Sequence, residues 1–183
     1  MTDTGRAGRP RRTGRGGSPR RTSPGPAVAA GQAWLVHVGG FPLALDLLYQ
    51  AETHMWVLLT GGARARIGMD SLGIETSGTL AELSLPPVGA ELVAGQPFGQ
   101  LEAAKFVGPL VSPVTGTVLA VNEAVAADPG LAEREPYGAG WLIGAELSNP
   151  AEELSGLVRG ADEVARWFAA AVEDYRRTGV IAE

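Results

Sequence analysis

The feature that most constrains the fold is the repeated interruption of short apolar runs by glycine and proline. From residue 33 onward these runs are too short for ordinary helices, and turn residues separate them. The sequence TGG at 60–62 is typical of a hairpin turn between two such runs. Many short strands joined by tight turns predict an all-β sandwich or barrel. The predicted strands are 33–38, 54–60, 63–69, 80–85, 97–103, 110–114, 115–122 and 141–147.

Two segments are predicted to be helical. A short internal helix is expected over 70–78, with Asp70 or Ser71 as its N-cap and Gly78 as its end. Near the C-terminus, apolar residues recur at helical spacing, with acidic residues before them and arginines after them. We expect this apolar stripe to pack in the core. It consists of Val164, Trp167, Phe168, Ala171, Val172 and Tyr175.

The N-terminal segment differs in composition from the rest of the chain. Residues 1–26 are rich in arginine, glycine and proline and contain no large apolar side chain beyond Met1, so we predict a disordered tail over 1–30. A weak polyanion-binding arm is the alternative interpretation of this tail. The remaining chain is predicted to form one folded domain over 31–155 and a helical extension over 156–183.

Composition excludes several classes of protein. The chain has a net charge of −5 although its tail is basic, so the folded part is acidic and does not suit nucleic-acid binding. It has no cysteine and only two histidines, which argues against disulfides and against a metal site. No apolar run is long enough to span a membrane, and we therefore expect a cytoplasmic protein.

Lys105 is the only lysine in a chain whose other basic residues are all arginine. Codon bias in an arginine-rich sequence is one explanation. The other is chemical, because an ε-amine can be acylated whereas a guanidinium stays charged. Lys105 falls between the predicted strands 97–103 and 110–114, at an exposed turn that other proteins can reach.

The residues around Lys105 resemble the lipoyl-lysine region of the glycine cleavage system H protein family. In that family a glutamate precedes the modified lysine by three residues, and here Glu102 occupies this position. Further motifs of the family follow in register on both sides of the lysine. The matching residues are Pro113, Val114, Thr115, Gly116, Val118, Val121, Asn122 and Glu123, then Pro129, Leu131, Pro136, Tyr137, Gly138, Gly140 and Trp141, and upstream Tyr49, His54, Trp56 and Val57.

The resemblance implies a lipoyl-type barrel-sandwich hybrid with lipoate bound covalently to Lys105 and with Glu102 recognised by the modifying enzyme. It implies a monomeric, non-catalytic carrier that shuttles an aminomethyl group in glycine decarboxylation. The implied partners are a pyridoxal-phosphate glycine decarboxylase, an aminomethyltransferase, dihydrolipoyl dehydrogenase and a lipoate-attaching enzyme. A biotin carrier is disfavoured, because Ala104 and Phe106 flank the lysine where biotin carriers have methionines.

The chain departs from the family pattern at positions that concern the cargo. Met55 replaces the glutamate of the family's H-E-W motif, and Gly108-Pro109 replaces a Ser-Asp pair after the lysine. A cationic aminomethyl group would thus lose two carboxylate partners, unless other acids such as Glu75 or Glu82 compensate. An H-like lipoate-binding carrier for a sulfur-oxidising heterodisulfide-reductase-like system is therefore the alternative. An unmodified interaction domain of the same fold is a third possibility.

Overall fold

The computed structural model describes residues 34–182, so the tail predicted over 1–30 lies outside the described residues. Short strands dominate this part of the chain, as the glycine and proline spacing predicts. They are β1 (Leu35–Val38), β2 (Phe41–Ala44), β3 (Leu48–Gln50), β4 (Met55–Gly61), β5 (Arg64–Met69), β6 (Leu80–Ser84), β7 (Glu91–Leu92), β8 (Pro97–Ala103), β9 (Val107–Val111), β10 (Gly116–Val121) and β11 (Ile143–Leu147).

The strands form three antiparallel sheets, which pack around two apolar clusters. Strands β1 and β2 make a separate ribbon, a six-stranded sheet has the order β3-β4-β5-β11-β10-β7, and a three-stranded sheet has the order β6-β8-β9. The larger core cluster draws on both of the larger sheets, for example through Ile67 and Leu101. This arrangement confirms the predicted all-β barrel-sandwich hybrid.

The strand predicted over 110–114 is wrong in its bounds. The structure has β9 over Val107–Val111, paired with β8, and the chain leaves the sheet before Pro113. Gly108 and Pro109 look like turn residues in the sequence, but Pro109 faces Gln100 within the ladder. Proline is tolerated there because β9 is the edge strand of its sheet, where one side of the backbone needs no partner.

Helices occupy a minor part of residues 34–182. They are α1 (Ser71–Ser77), α2 (Glu123–Ala127), α3 (Gly130–Arg134), α4 (Pro150–Glu153) and α5 (Ala161–Arg177). Helix α1 confirms the predicted internal helix, since the Asp70 carboxylate accepts hydrogen bonds from the first turn and Gly78 follows the last residue with a φ of 85°. Within the described residues, no helix has both the length and the apolar character needed to cross a membrane.

Helix α5 packs along the predicted apolar stripe. Val164, Phe168 and Val172 are buried in a second core cluster, which also contains Leu43 and Trp56 from the β2 and β4 strands. The stripe therefore serves packing, as its sequence predicts. The predicted division into a folded domain over 31–155 and a helical extension over 156–183 stays a prediction.

Candidate functional site

Lys105 lies at the tip of the hairpin that joins β8 to β9. The hairpin is closed by a 2.8 Å hydrogen bond from the Ala103 amide to the Phe106 carbonyl. The tip is also tied to the end of α1 and the chain after it, because the Lys105 amide donates to the Ser77 carbonyl at 3.2 Å and the Ala104 amide donates to the Thr79 carbonyl at 2.9 Å. These bonds fix the lysine backbone while leaving its side chain exposed.

The Lys105 side chain runs over Gly78. A Cβ atom at Gly78 would lie 3.2 Å from Lys105 Cγ, so the aliphatic stem of the lysine rests against the glycine backbone. No ion pair within residues 34–182 involves Lys105. The hairpin thus presents an amine that is held at its base and free at its end, as acylation by another protein requires.

Glu102 lies on β8, three residues before the lysine, and its side chain is exposed. Its cross-strand neighbours are Glu82 on β6 and Val107 on β9. Two carboxylates opposite each other on adjacent strands repel, so the Glu82–Glu102 pair gives the sheet no support. This arrangement leaves both acids available to a protein that approaches the hairpin.

A cavity of about 360 Å³, here called the methionine cavity, opens beside the hairpin. Its apolar walls come from strands β4, β5, β8 and β9 and from the hairpin tip. They include Met55, Met69, Leu101, Phe106, Pro109 and Leu110, while polar atoms come from Glu52, Thr53, His54, Thr76, Ser77 and Tyr175. An elongated apolar group with few charges is the kind of ligand that such a lining accepts.

Both departures from the family pattern meet at the methionine cavity. Met55 is buried, at 1% exposure, whereas Pro109 is exposed on the edge strand. Neither Glu75 nor Glu82 lines this cavity, so the expected compensation does not come from these two acids. The one carboxylate of the described residues that lines it belongs to Glu52, in the turn before β4.

A chain of hydrogen bonds braces one wall of the methionine cavity. The His54 ring joins Asp70 Oδ2 at 2.8 Å through Nδ1 and the Tyr175 hydroxyl at 2.9 Å through Nε2. His54 adopts a φ of 55°, a conformation that a non-glycine residue rarely takes unless its surroundings hold it. Burial, together with Asp70 and Asp174, raises the pKa of Tyr175. His54 thereby connects β4, α1 and α5.

A second cavity, of about 390 Å³ and here called the glutamate cavity, lies on the other side of α1. It carries two carboxylates, from Glu75 on α1 and Glu133 on α3, and the Lys105 side chain also lines it. Glu133 also accepts a hydrogen bond from the Leu80 amide through Oε1. Lys105 therefore lines the acidic cavity, and its neighbour Phe106 lines the apolar one.

Two residues of the site escaped the sequence analysis. Glu52 stands in a turn, where an acidic residue is ordinary and gives no periodic signal. In the sequence Phe106 stands out only as a neighbour of the lysine, yet its ring lines the methionine cavity and packs on Gly108. An aromatic residue at a hairpin tip is the signal that would have identified it.

Known proteins resemble this chain over most of the described region. A family model described as "Glycine cleavage H-protein" matches residues 47–168. The glycine cleavage system H protein of Mycobacterium avium (strain 104) is 42% identical over 106 residues, which are 58% of this chain and 80% of that protein. The corresponding protein of Beutenbergia cavernae is 42% identical over 109 residues, which are 60% of this chain and 86% of that protein.

A solved structure has the same fold. The crystal structure of a glycine cleavage system H protein from Mycobacterium marinum aligns with a TM-score of 0.59 and 32% sequence identity. The alignment covers 68% of this chain and 97% of that one. The similarity therefore spans nearly the whole of the solved protein.

Proposed function

The chain belongs to the glycine cleavage H-protein family and is therefore a carrier protein in glycine cleavage; we propose that it carries its cargo on a lipoyl group attached to Lys105. The observation that carries this proposal is the position of the sole lysine, exposed at a hairpin tip whose backbone is fixed by hydrogen bonds to Ser77 and Thr79. The alternative cargo of a sulfur-oxidising system finds no support in the family match or in the named relatives.

The residues around the hairpin fit a lipoyl group. The Lys105 amine makes no ion pair with residues 34–182, and the methionine cavity begins beside it with apolar walls.

When bound, lipoate would supply a disulfide, of which one sulfur would take up the aminomethyl group while the other became a thiol. Lys105 provides the amine for the amide bond, and the hairpin holds this amine away from the body of the protein. Glu52 offers a carboxylate to a cationic amine at the methionine cavity. We assign no catalytic residue to this chain.

The partners follow from this chemistry. A pyridoxal-phosphate glycine decarboxylase would load the arm, an aminomethyltransferase would unload it, and dihydrolipoyl dehydrogenase would reoxidise it. A lipoate-attaching enzyme must read the folded hairpin, and we propose that Glu102 is part of what it reads. A cytoplasmic location belongs to the same proposal.

Intact mass spectrometry of the protein from lipoate-competent cells tests the attachment site. We expect one lipoyl adduct on the wild type and none on Lys105→Arg, which keeps the positive charge but lacks the acylable amine. A thermal melt of the variant should match the wild type, because the side chain is exposed. An unmodified wild-type protein would instead support the simple interaction domain.

The role of Glu102 has its own test. Glu102→Ala should slow lipoylation without changing the melting temperature, because the side chain is exposed. Glu82→Ala is the matched control. It removes the carboxylate that faces Glu102 across the sheet on β6, and it lies farther from the lysine in sequence. Equal rates for Glu102→Ala and the wild type would remove Glu102 from the proposal.

A further inference from the structure

Four carboxylates lie next to one another beside the lysine hairpin. Glu75 on α1 and Glu133 on α3 line the glutamate cavity. Glu133 also accepts a hydrogen bond from the first amide of β6, and Glu82 follows two residues later on that strand. Glu82 in turn faces Glu102 on β8. These four residues, here called the acidic surface, come from four separate elements and form one continuous patch.

The acidic surface has few cations of its own. None of its carboxylates forms an ion pair with a basic residue of the described range 34–182. Lys105 lines the glutamate cavity, but a single ammonium group balances only one of the four negative charges. Glu82 and Glu102 also stand directly opposite each other, where like charges destabilise a sheet. A bound cationic group would relieve this repulsion.

The glutamate cavity offers more than charge to a guanidinium group. Apolar side chains line it together with the two glutamates, namely those of Phe41, Pro42 and Ile74. A guanidinium group is planar, stacks on aromatic rings and donates two parallel hydrogen bonds to a carboxylate. The combination of an aromatic ring with carboxylates therefore suits arginine better than lysine.

The chain carries such groups before its described residues. Seven of its 14 arginines lie within residues 6–21, and the sequence PRRT occurs twice, at 10–13 and 19–22. With Asp3 as the one acid, residues 1–26 have a formal charge of +6, whereas the whole chain has −5, so the remainder carries −11. The two parts of the chain are therefore complementary in charge.

The point at which the N-terminal residues join the fold lies close to the acidic surface. Trp34 is held at the open end of the β1–β2 ribbon, because its carbonyl accepts a hydrogen bond from the Leu45 amide at 3.1 Å. Phe41, at the other end of β2, lines the glutamate cavity, about 13 Å along the strand from Leu45. Arg21 precedes Trp34 by 13 residues, which can span up to about 45 Å. The arginines can therefore reach the surface.

We propose that residues 6–21, here called the arginine segment, bind the acidic surface of the same chain. Arginines of the PRRT repeats contact its carboxylates, with a guanidinium group in the glutamate cavity against Phe41. The bound segment covers Glu102 and the surroundings of Lys105, and it exposes them when salt or a basic partner competes for the same carboxylates. This contact does not require lipoate, so the inference goes beyond the proposed function and does not rest on it.

Paramagnetic relaxation measured by NMR on the full chain tests the inference. The chain has no cysteine, so a nitroxide on Ser18→Cys, between the two PRRT repeats, is attached at a single site. We expect it to broaden the amide signals of Glu75, Glu82 and Glu102, relative to the same sample with the nitroxide reduced. The broadening should be strong in about 20 mM NaCl and disappear in about 500 mM, because salt screens exposed charges.

Charge variants of the labelled chain identify the partners. Glutamine in place of the arginine pairs 11–12 and 20–21 should abolish the broadening. Glu75→Gln should weaken the contact roughly twofold to fivefold, as the loss of one exposed charge pair does. Glu91→Gln is the matched control, because Glu91 is an exposed glutamate on β7, in the six-stranded sheet. Lys105→Gln removes the cation from the cavity and should strengthen the contact, whereas Lys105→Arg should leave it unchanged.

The outcomes separate this inference from other uses of the arginines. Broadening that is lost with the arginine pairs and weakened by Glu75→Gln, but not by Glu91→Gln, supports it. Broadening confined to other parts of the fold overturns it, as does a low-salt spectrum without broadening, which would leave the arginines to an external polyanion. A mixture of spin-labelled chains with isotope-labelled, unmodified chains should show no broadening, and broadening there would overturn a contact within one chain. None of these results depends on a lipoyl adduct.

Discussion

The two cavities that flank the lysine hairpin share α1 as a wall but differ in everything else. Gly73, Thr76 and Ser77 face the methionine cavity, whose remaining walls include the apolar side chains of Met55, Met69 and Leu101. The opposite face of α1, including Ile74 and Glu75, lines the glutamate cavity. Helix α1 therefore separates an apolar cavity from an acidic one, and both cavities lie next to the hairpin that carries Lys105.

This difference indicates how the proposed acylation of Lys105 would change the position of its side chain. The unmodified lysine is a cation, and its stem rests on Gly78 beside the cavity that contains Glu75 and Glu133. If Lys105 is acylated as proposed, amide formation would remove the positive charge beside these carboxylates. The lengthened, neutral arm would then gain most by burying apolar surface in the methionine cavity.

We expect the largest effect on stability from removing the side chain that caps α1, the helix that both cavities share as a wall. Asp70 is fully buried and accepts hydrogen bonds from the Leu72 and Gly73 amides and from His54. Asp70→Ala leaves three donors without an acceptor and should lower the free energy of unfolding by about 3 kcal/mol. Urea unfolding measures this loss.

Asp70→Asn is the matched control for Asp70→Ala. Its side-chain oxygen can still cap α1, while the amide nitrogen no longer accepts from His54. We expect a smaller loss of stability than in Asp70→Ala. An Asp70→Ala variant with the same urea midpoint as the wild type would show that the Asp70 cap does not stabilise α1. The shape of the two cavities would then not depend on this cap.

A second effect is the loss of stability at alkaline pH. It comes from the ionisation of tyrosines, which are buried to different extents on the two sides of α1. Burial raises the pKa of Tyr49 and Tyr137, so both keep their protons in the native state at a pH where unfolded tyrosines ionise. Their contribution to stability is complete below pH 10 and is lost as the pH rises above it, at about 1.4 kcal/mol per tyrosine and pH unit.

Tyr175, at the methionine cavity, is less buried than Tyr137, whose hydroxyl accepts a hydrogen bond from the Ser71 amide on the glutamate side. Phenolate absorbance should therefore rise first from Tyr175 in the folded protein and from the other two only on unfolding. Tyr175→Phe should delete the first step. Simultaneous titration of all three tyrosines in the folded protein would contradict this difference.

The smallest of these effects concerns the charged cargo. With the decarboxylase, glycine and pyridoxal phosphate, the lipoylated wild type should load weakly or release its aminomethyl group quickly. Pro109→Asp returns a carboxylate to the exposed rim and should lengthen retention roughly tenfold, as one charge-assisted contact would. Pro109→Asn controls for the loss of proline.

Met55→Glu is the less suitable variant for this test. In the sequence, Met55 and Pro109 each replace an acidic residue of the family pattern. In the structure, however, Met55 is 1% exposed and belongs to the larger core cluster. A carboxylate there would lack a partner and would destabilise the fold before it could hold a ligand. If Pro109→Asp and Pro109→Asn retain the cargo equally long, a rim carboxylate does not limit retention.

The sequence predicts the fold well wherever turns and apolar runs alternate cleanly. The bounds of β8 and the cap of α1 follow from local chemistry, since glycine, proline and aspartate act on their immediate neighbours. The prediction fails at β9, because tolerance of Pro109 depends on the edge position of that strand. Edge position is a property of the assembled sheet.

The candidate site was predictable only in part. Lys105 is conspicuous because it is the sole lysine, and its place between two strand patterns indicates a hairpin. The convergence of Met55 and Pro109 on one cavity depends on contacts between distant segments, which periodicity does not encode. The same holds for the ring of Phe106, whose position is decided by the missing side chain of Gly108.

The most direct test of the central claim asks which cavity receives the lipoylated arm. The chain has three methionines, and two of them, Met55 and Met69, line the methionine cavity, whereas Ile74 lines the glutamate cavity. Methyl NMR spectra of the lipoylated wild type and of Lys105→Arg should differ more at the methyl signals of Met55 and Met69 than at those of Ile74. A shift at Ile74 with unchanged methionine signals, or no shift at any of the three, would contradict the claim.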